Sequence, residues 1–78
     1  MNITADKLKS GNAAVVVSLA CTGAVRRRLI DMGITPGADI SLVKKAPFGD
    51  PLEFRIRGYE LSLRKSEAAL ILVSEVTD

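Results

Sequence analysis

The chain has 78 residues, which is enough for one folded domain and too few for two. Apolar residues make up 47% of it, but tryptophan is absent and the aromatic residues are two phenylalanines and one tyrosine, so the core must be built mainly from valine, isoleucine and leucine. The formal net charge of +2 is smaller than dedicated nucleic-acid-binding domains usually carry, but composition alone neither demands nor excludes an anionic partner.

The first third of the chain predicts a short helical turn, a strand and a helix. Thr4 is placed to cap a turn over residues 4–8. Residues 13–19 are β-branched and almost continuously apolar, which predicts a strand covered on both faces over part of its length. The loop between these two elements contains Ser10, Gly11 and Asn12.

Residues 22–32 predict a helix, because their apolar side chains recur at i, i+4 and i+7. These side chains are Val25, Leu29 and Met32. Thr22 is the expected N-cap, and Gly33 is the expected left-handed residue that ends the helix. Arg27 and Asp31 are spaced for an ion pair within the helix.

A second strand is expected over residues 38–46, after a type II turn at Pro36-Gly37. Val43 interrupts the alternation of apolar and polar residues in this strand, which indicates either a β-bulge or a residue covered on the opposite face. Residues 47–51 follow as a loop, since their two prolines cannot continue a strand ladder.

Residues 52–64 predict a β-hairpin, because apolar and polar residues alternate on both sides of Gly58-Tyr59. Glycine at the first central position fits a two-residue type II′ turn, which would fix the register. The expected pairs are Arg57–Glu60, Ile56–Leu61, Arg55–Ser62, Phe54–Leu63 and Glu53–Arg64. Apolar pairs would then lie on one face of the hairpin and charged pairs on the other.

The last elements are a single capped helical turn over residues 66–69, expected to be 3₁₀ because it is short, and a buried strand over residues 70–73. The chain therefore reads as a mainly β domain of five short strands with a helix inserted after the first. A small closed barrel is the favoured architecture, because closure removes exposed strand edges.

Three separate segments of the chain resemble the FeoA proteins, the small components of bacterial ferrous-iron transport. They are residues 27–37 (RRLIDMGITPG), 46–52 (APFGDPL) and 57–64 (RGYELSLR). The resemblance implies a single SH3-like domain over residues 1–78, a five-stranded barrel with a helix after the first strand. It also implies a cytosolic accessory role beside a membrane ferrous permease that has a GTP-binding domain, the FeoB-like component of that system.

The residue types argue against catalysis and against an intrinsic metal or cofactor. The chain has no histidine, and Cys21 has no evident base to activate it. Its acidic residues are scattered over different predicted elements, without the spacing of a catalytic pair or a metal site. We therefore expect no enzyme activity, no cofactor, and ferrous iron only by association with the pathway.

Five exposed side chains are candidates for binding a protein partner. They are Arg26, Arg27, Arg28, Phe48 and Tyr59. The arginine run could instead be a solvated helix face with Arg27 tied to Asp31, and either aromatic ring could fold back on the barrel. In the binding interpretation, the cations could meet an acidic partner loop, lipid headgroups or a nucleotide phosphate. The aromatic residues lie at loop or turn tips, where contact sites are frequent.

Two other functions stay open on the sequence alone. One is a metal-responsive regulatory module that binds a transition metal ion, and the other is a small nucleic-acid-binding barrel, although the shortage of stacking aromatics means that no nucleic acid is expected. Free strand edges could also pair two copies into a homodimer. The single cysteine, the lack of a signal peptide and the lack of a long apolar run favour a cytoplasmic protein, peripheral to a membrane at most.

Overall fold

The computed structural model describes residues 2–76. It contains six strands, two helices and one turn of 3₁₀ helix. The strands are β1 (Asn2–Thr4), β2 (Ala13–Leu19), β3 (Asp39–Lys45), β4 (Leu52–Ile56), β5 (Tyr59–Leu63) and β6 (Ile71–Glu75). The helices are α1 (Gly23–Asp31) and α2 (Lys65–Ala68), and the 3₁₀ turn covers Ala5–Lys7.

All six strands form one sheet in the order β1-β6-β2-β3-β4-β5, and every paired ladder is antiparallel. This confirms the mainly β class and the helix inserted after the Ala13–Leu19 strand. The structure adds β1, which pairs with β6 and was not among the five expected strands. Its three residues are too short to show a hydrophobic period. Among residues 2–76, no helix is long and apolar enough to cross a membrane.

Two β-bulges shift the side-chain alternation so that both long strands keep an apolar inner face. The β3–β4 register shifts between Leu42 and Lys44, so the bulge is the correct one of the two explanations offered for Val43. The β2–β6 register shifts between Val16 and Ser18, so burial passes from Val16 to Leu19 and Val17 lies exposed on the outside. Cover on both faces was expected over part of this strand, and on the outer face Val15 is half-buried while Ala13 and Val17 are exposed.

The core is a single cluster of apolar side chains in which leucine, isoleucine and valine outnumber the one aromatic ring, Phe54. Its largest fully buried members are Phe54, Leu8, Leu29, Ile34, Ile40, Leu42, Leu52, Ile56, Leu63, Ile71, Val16 and Val73. The aliphatic core expected from the composition is confirmed.

The hairpin of β4 and β5 forms where predicted, but its turn lies one residue earlier. Arg57 and Gly58 are the central residues, with φ of 50° and 88°, and positive φ at both is the signature of a type I′ turn. The observed pairs are Leu52–Leu63, Glu53–Ser62, Phe54–Leu61, Arg55–Glu60 and Ile56–Tyr59. The predicted II′ turn and its pairs are therefore wrong. Each β4 residue pairs with the β5 residue two positions earlier than predicted. Because side chains alternate with a period of two, apolar side chains still share one face of the hairpin.

Candidate docking surface

Helix α1 is attached to the sheet by few contacts. It begins after Thr22, as predicted, although the Thr22 side chain makes no capping hydrogen bond. Leu29 is its only buried residue, since Val25 is exposed and Met32, just beyond the helix, is half-buried. The face predicted from the periodicity is therefore buried at one position out of three, and most of the helix surface is open to solvent.

An ion pair between Arg28 and Glu67 joins α1 to the single-turn helix α2. Glu67 also accepts a hydrogen bond from the main-chain amide of Arg64 at 2.9 Å, which caps α2. The expected pair between Arg27 and Asp31 is wrong: within residues 2–76 neither takes part in an ion pair. Instead, the neighbouring residue Arg28 pairs with Glu67, which is distant in the sequence.

A second link joins the C-terminal end of α1 to the β4–β5 hairpin. The Tyr59 hydroxyl donates a hydrogen bond to the main-chain carbonyl of Met32. Arg57 donates from Nε to the carbonyl of Gly33 at 3.2 Å and from its terminal nitrogen to Oγ1 of Thr35 at 2.7 Å. We call these three hydrogen bonds the hairpin clasp; they hold the hairpin turn against the segment that ends the helix.

Two features favour glycine at position 33. Its φ of +89° is the left-handed conformation predicted for the residue after the helix. A Cβ atom built on Gly33 would lie 3.0 Å from the Tyr59 hydroxyl and 3.6 Å from Cδ of Arg57. A larger residue would therefore press on the hairpin clasp as well as strain the backbone.

The outward side of α1 forms a surface that combines apolar groups with cations. Gly23, Arg26, Arg27 and Ile30 line a shallow depression there, and we call these four residues the helix surface. Ile30 is 38% exposed, and within residues 2–76 Arg26 and Arg27 take part in no ion pair. Such a surface suits a partner segment that offers carboxylates beside an apolar side chain.

The structure does not bring all five candidate residues together. Arg26 and Arg27 lie on the helix surface, whereas the guanidinium of Arg28 is engaged by Glu67. Tyr59 is 46% exposed with its hydroxyl in the hairpin clasp, so its ring partly folds back on the protein. Phe48 lies in the loop between β3 and β4 and is 97% exposed.

Sequence reasoning missed two residues that position this surface, Arg57 and Glu67. Arg57 is 24 positions from Gly33 and 22 positions from Thr35 in the chain. Glu67 is 39 positions from Arg28. No local spacing rule relates residues that are so far apart. The one available signal was the single helical turn expected at residues 66–69, where a glutamate in the first turn often serves a cap.

The remaining acidic and sulfur groups were compared with the ligand sets of metal sites. Within residues 2–76, no group of three or more histidine, cysteine, aspartate or glutamate side chains could hold a metal ion. Cys21 is a half-buried free thiol packed against the core.

Comparison with known proteins identifies the family. The family model described as the FeoA domain matches residues 3–75, which is nearly the whole chain. The chain belongs to the FeoA family. A FeoA-like protein from Clostridium acetobutylicum has the same fold, with a TM-score of 0.90 and 42% identity, covering 99% of this chain and 90% of that one. The association with ferrous-iron transport that the sequence resemblance implied is confirmed at the level of this family.

Two further relatives define the fold and its context. The Stenotrophomonas maltophilia FeoA, described as a prokaryotic SH3 domain protein and solved as a zinc complex, gives a TM-score of 0.81 at 32% identity, with 92% of this chain and 89% of that chain covered. The SH3-like fold is thereby confirmed. A protein of Porphyromonas gingivalis, described as a fusion of Fe(2+) transport protein A and the Fe(2+) transporter FeoB, is 38% identical over 72 residues. That match covers 92% of this FeoA chain but only 8% of the curated relative.

Proposed function

We propose that this FeoA protein is a cytosolic accessory subunit of ferrous-iron uptake that binds the GTP-binding part of a membrane ferrous permease and shifts its conformational equilibrium. The Porphyromonas fusion carries this proposal, because it places a FeoA segment and a FeoB transporter in one polypeptide. Covalent linkage keeps two partners at high effective concentration, which is useful when they act as a complex. The protein itself performs no chemistry in this function.

The helix surface is the proposed docking site. Arg26 and Arg27 are exposed cations beside the partly exposed Ile30, and a docking partner with carboxylates would gain charge-assisted hydrogen bonds from them. The Arg28–Glu67 pair and the hairpin clasp hold α1 in place, so little freedom would be lost on binding. Arg28 and Tyr59 then contribute to this site by holding the helix in position, in addition to any contact that they make with the partner.

A regulatory effect needs only a difference in affinity between two permease states. A tenfold preference for one state corresponds to about 1.4 kcal/mol, and a few charge-assisted contacts made in one state alone are enough to supply it. We expect the preferred state to depend on the bound nucleotide, since the proposed partner surface belongs to a GTP-binding domain.

A metal-responsive module is the second candidate, and the zinc complex of the Stenotrophomonas FeoA favours it. Against it, the described part of this chain groups no three ligand side chains of the kind that bind transition metals. We therefore treat ferrous iron as the cargo of the permease and expect docking to be the primary activity.

Iron uptake in cells tests the proposal. A strain lacking this protein would be complemented with the unchanged chain, with Arg26→Ala/Arg27→Ala, or with the matched control Lys7→Ala/Lys9→Ala, which removes the same charge from exposed residues outside the helix surface. We expect radioactive ferrous iron to enter at the restored rate with the unchanged chain and the control, and at the deletion rate with the arginine variant. Full restoration by the arginine variant would remove the helix surface from the function.

A further inference from the structure

The loop between β3 and β4, residues 46–51, exposes an aromatic ring that the rest of the protein leaves uncovered. Phe48 at its tip is 97% exposed, whereas the other phenylalanine, Phe54, is completely buried. We call residues 46–51 the Phe48 loop. The Phe48 ring is therefore available for contact with a partner outside this chain.

Hydrogen bonds brace the Phe48 loop on both sides of the ring. The amide of Ala46 donates to the carbonyl of Pro51 at 3.1 Å, and the amide of Gly49 donates to the carbonyl of Ala46 at 2.8 Å. Oδ1 of Asp50 accepts a hydrogen bond from the amide of Lys65 at 3.0 Å, which ties the loop to α2. The backbone is therefore held in the conformation that presents the ring.

Exposed cations surround the loop. Lys45 ends β3 immediately before it, and the pairing of Leu52 with Leu63 and the Asp50–Lys65 hydrogen bond bring Arg64 and Lys65 alongside it. Within residues 2–76, none of these three cations takes part in an ion pair.

Two carboxylates in or beside the loop have partners, but only one of these partners is a cation. Asp50 accepts the Lys65 amide, and Glu53 lies 3.9 Å from the ammonium of Lys44. The loop thus offers one exposed aromatic side chain next to three exposed cations, and the nearby carboxylates offset only part of their charge.

We propose that the Phe48 loop is a membrane-contact surface, which places the Phe48 ring in the interfacial layer of an anionic bilayer while Lys45, Arg64 and Lys65 stay among the headgroups. Anionic leaflets attract clustered lysine and arginine, and long cationic side chains reach the headgroups while their stems lie against apolar material. Aromatic rings are enriched at this depth of a membrane.

The shape of the loop favours a lipid surface over a protein partner. A specific protein interface buries about 800 Å² on each side around an apolar centre, whereas the Phe48 loop offers one ring with charged neighbours. A fluid bilayer accepts a single projecting ring without a preformed socket. This contact uses a surface other than the helix surface and does not depend on the permease.

The absence of tryptophan from the chain permits a direct test. Phe48→Trp places a single indole at the loop tip, and Val76→Trp is the control, since Val76 is exposed next to Asp39 and Ser41, toward the other end of β3. Each variant would be titrated with phosphatidylglycerol–phosphatidylethanolamine vesicles and with phosphatidylcholine vesicles. We expect the Phe48→Trp emission to shift to the blue with the anionic vesicles alone, less so at high salt, and Val76→Trp emission to stay unchanged.

Vesicle flotation of the chain with its native loop gives a second readout. Phe48→Ala should abolish flotation with anionic vesicles, and removal of Lys45, Arg64 or Lys65 should weaken it about fivefold for each cation. Circular dichroism would confirm that each variant is folded. Absence of both the emission shift and flotation would overturn the membrane contact. It would also be overturned if the unchanged chain bound no vesicles while Phe48→Ala lost binding to the permease domain. That second result would make the loop a protein-docking site.

Discussion

The hydroxyl of Tyr59, at the start of β5, donates a hydrogen bond to the main-chain carbonyl of Met32, the residue that caps the C-terminal end of α1. The two residues are 27 positions apart in the chain. Since Leu29 is the only buried residue of α1, this bond is one of the few contacts that fix the helix and the helix surface on the sheet.

Tyr59→Phe removes the hydroxyl and keeps the ring. We expect the free energy of unfolding to fall by about 0.5–1.5 kcal/mol, because one tertiary hydrogen bond is lost and the Met32 carbonyl then depends on water. Urea denaturation measures the change. Phe48→Leu is the control and should leave stability unchanged, because that ring is exposed. Equal stabilities of Tyr59→Phe and the unchanged chain would show that the bond contributes nothing.

Gly33→Ala should destabilise the protein more than Gly37→Ala. Both glycines have φ near +90°, so both substitutions carry the left-handed penalty of about 1–2 kcal/mol. Only at Gly33 does the added Cβ meet another group, at 3.0 Å from the Tyr59 hydroxyl, and Gly37 has open space around it. The excess cost at Gly33 should shrink when Gly33→Ala is combined with Tyr59→Phe. An excess that persists in full in the double variant would contradict this contact.

Leu29→Ala and Ile30→Ala compare neighbouring residues of α1 that differ in burial. Leu29 is fully buried, so its truncation should cost about 2–5 kcal/mol, whereas Ile30 is 38% exposed and should cost about 0.5 kcal/mol or less. Amide hydrogen exchange of residues 26–31 would show loss of helix protection in Leu29→Ala only. Similar losses in both variants would mean that the helix is held by its outer face as well.

The ion pair between Arg28 and Glu67 should show a measurable coupling. Arg28→Ala should cost about 1 kcal/mol or less, since its side chain is 60% exposed. Glu67→Ala should cost more, because the Arg64 amide also loses its acceptor. Arg27→Ala is the control and should be neutral. A double-mutant cycle of Arg28→Ala with Glu67→Ala that gives no coupling energy would argue that the pair has no role in holding α1.

Anaerobic calorimetry with Fe²⁺ and Mn²⁺ tests the metal-responsive alternative. We expect no saturable heat at low micromolar metal, because one cysteine and scattered carboxylates do not make a transition-metal site. Saturable binding of Fe²⁺ at those concentrations, absent with Mg²⁺, would favour the metal-responsive module over the docking function.

Local patterns in the sequence predicted most strands, the end of α1 and the bulge at Val43, because each depends on neighbours a few residues apart. The position predicted for the hairpin turn was wrong by one residue, and tertiary contacts of Arg57 account for the difference. Glycine at the first central position is the usual signal for a II′ turn, but here Arg57 takes the left-handed conformation that is rare for arginine. Its side chain is held by Gly33 and Thr35, contacts that no pattern within the hairpin could show.

The candidate site was predictable in its residue types and less so in its arrangement. The arginine run could be found by composition alone, but spacing assigned the ion pair to Arg27, whereas the fold gives it to Arg28. The exposure of Phe48 and the partial burial of Tyr59 likewise follow from the loop and hairpin geometry. The sequence could only name both rings as candidates.

Titration of this FeoA protein against its proposed partner, the soluble GTP-binding domain of a ferrous permease from the same genome, tests docking most directly. It would be carried out with GDP and with a non-hydrolysable GTP analogue. We expect saturable binding that differs between the two nucleotides, weakens at high salt, and is lost in Arg26→Ala/Arg27→Ala but kept in Lys7→Ala/Lys9→Ala. Absence of binding in both nucleotide states, with a folded protein and a nucleotide-loaded domain, would contradict a regulatory complex with that domain.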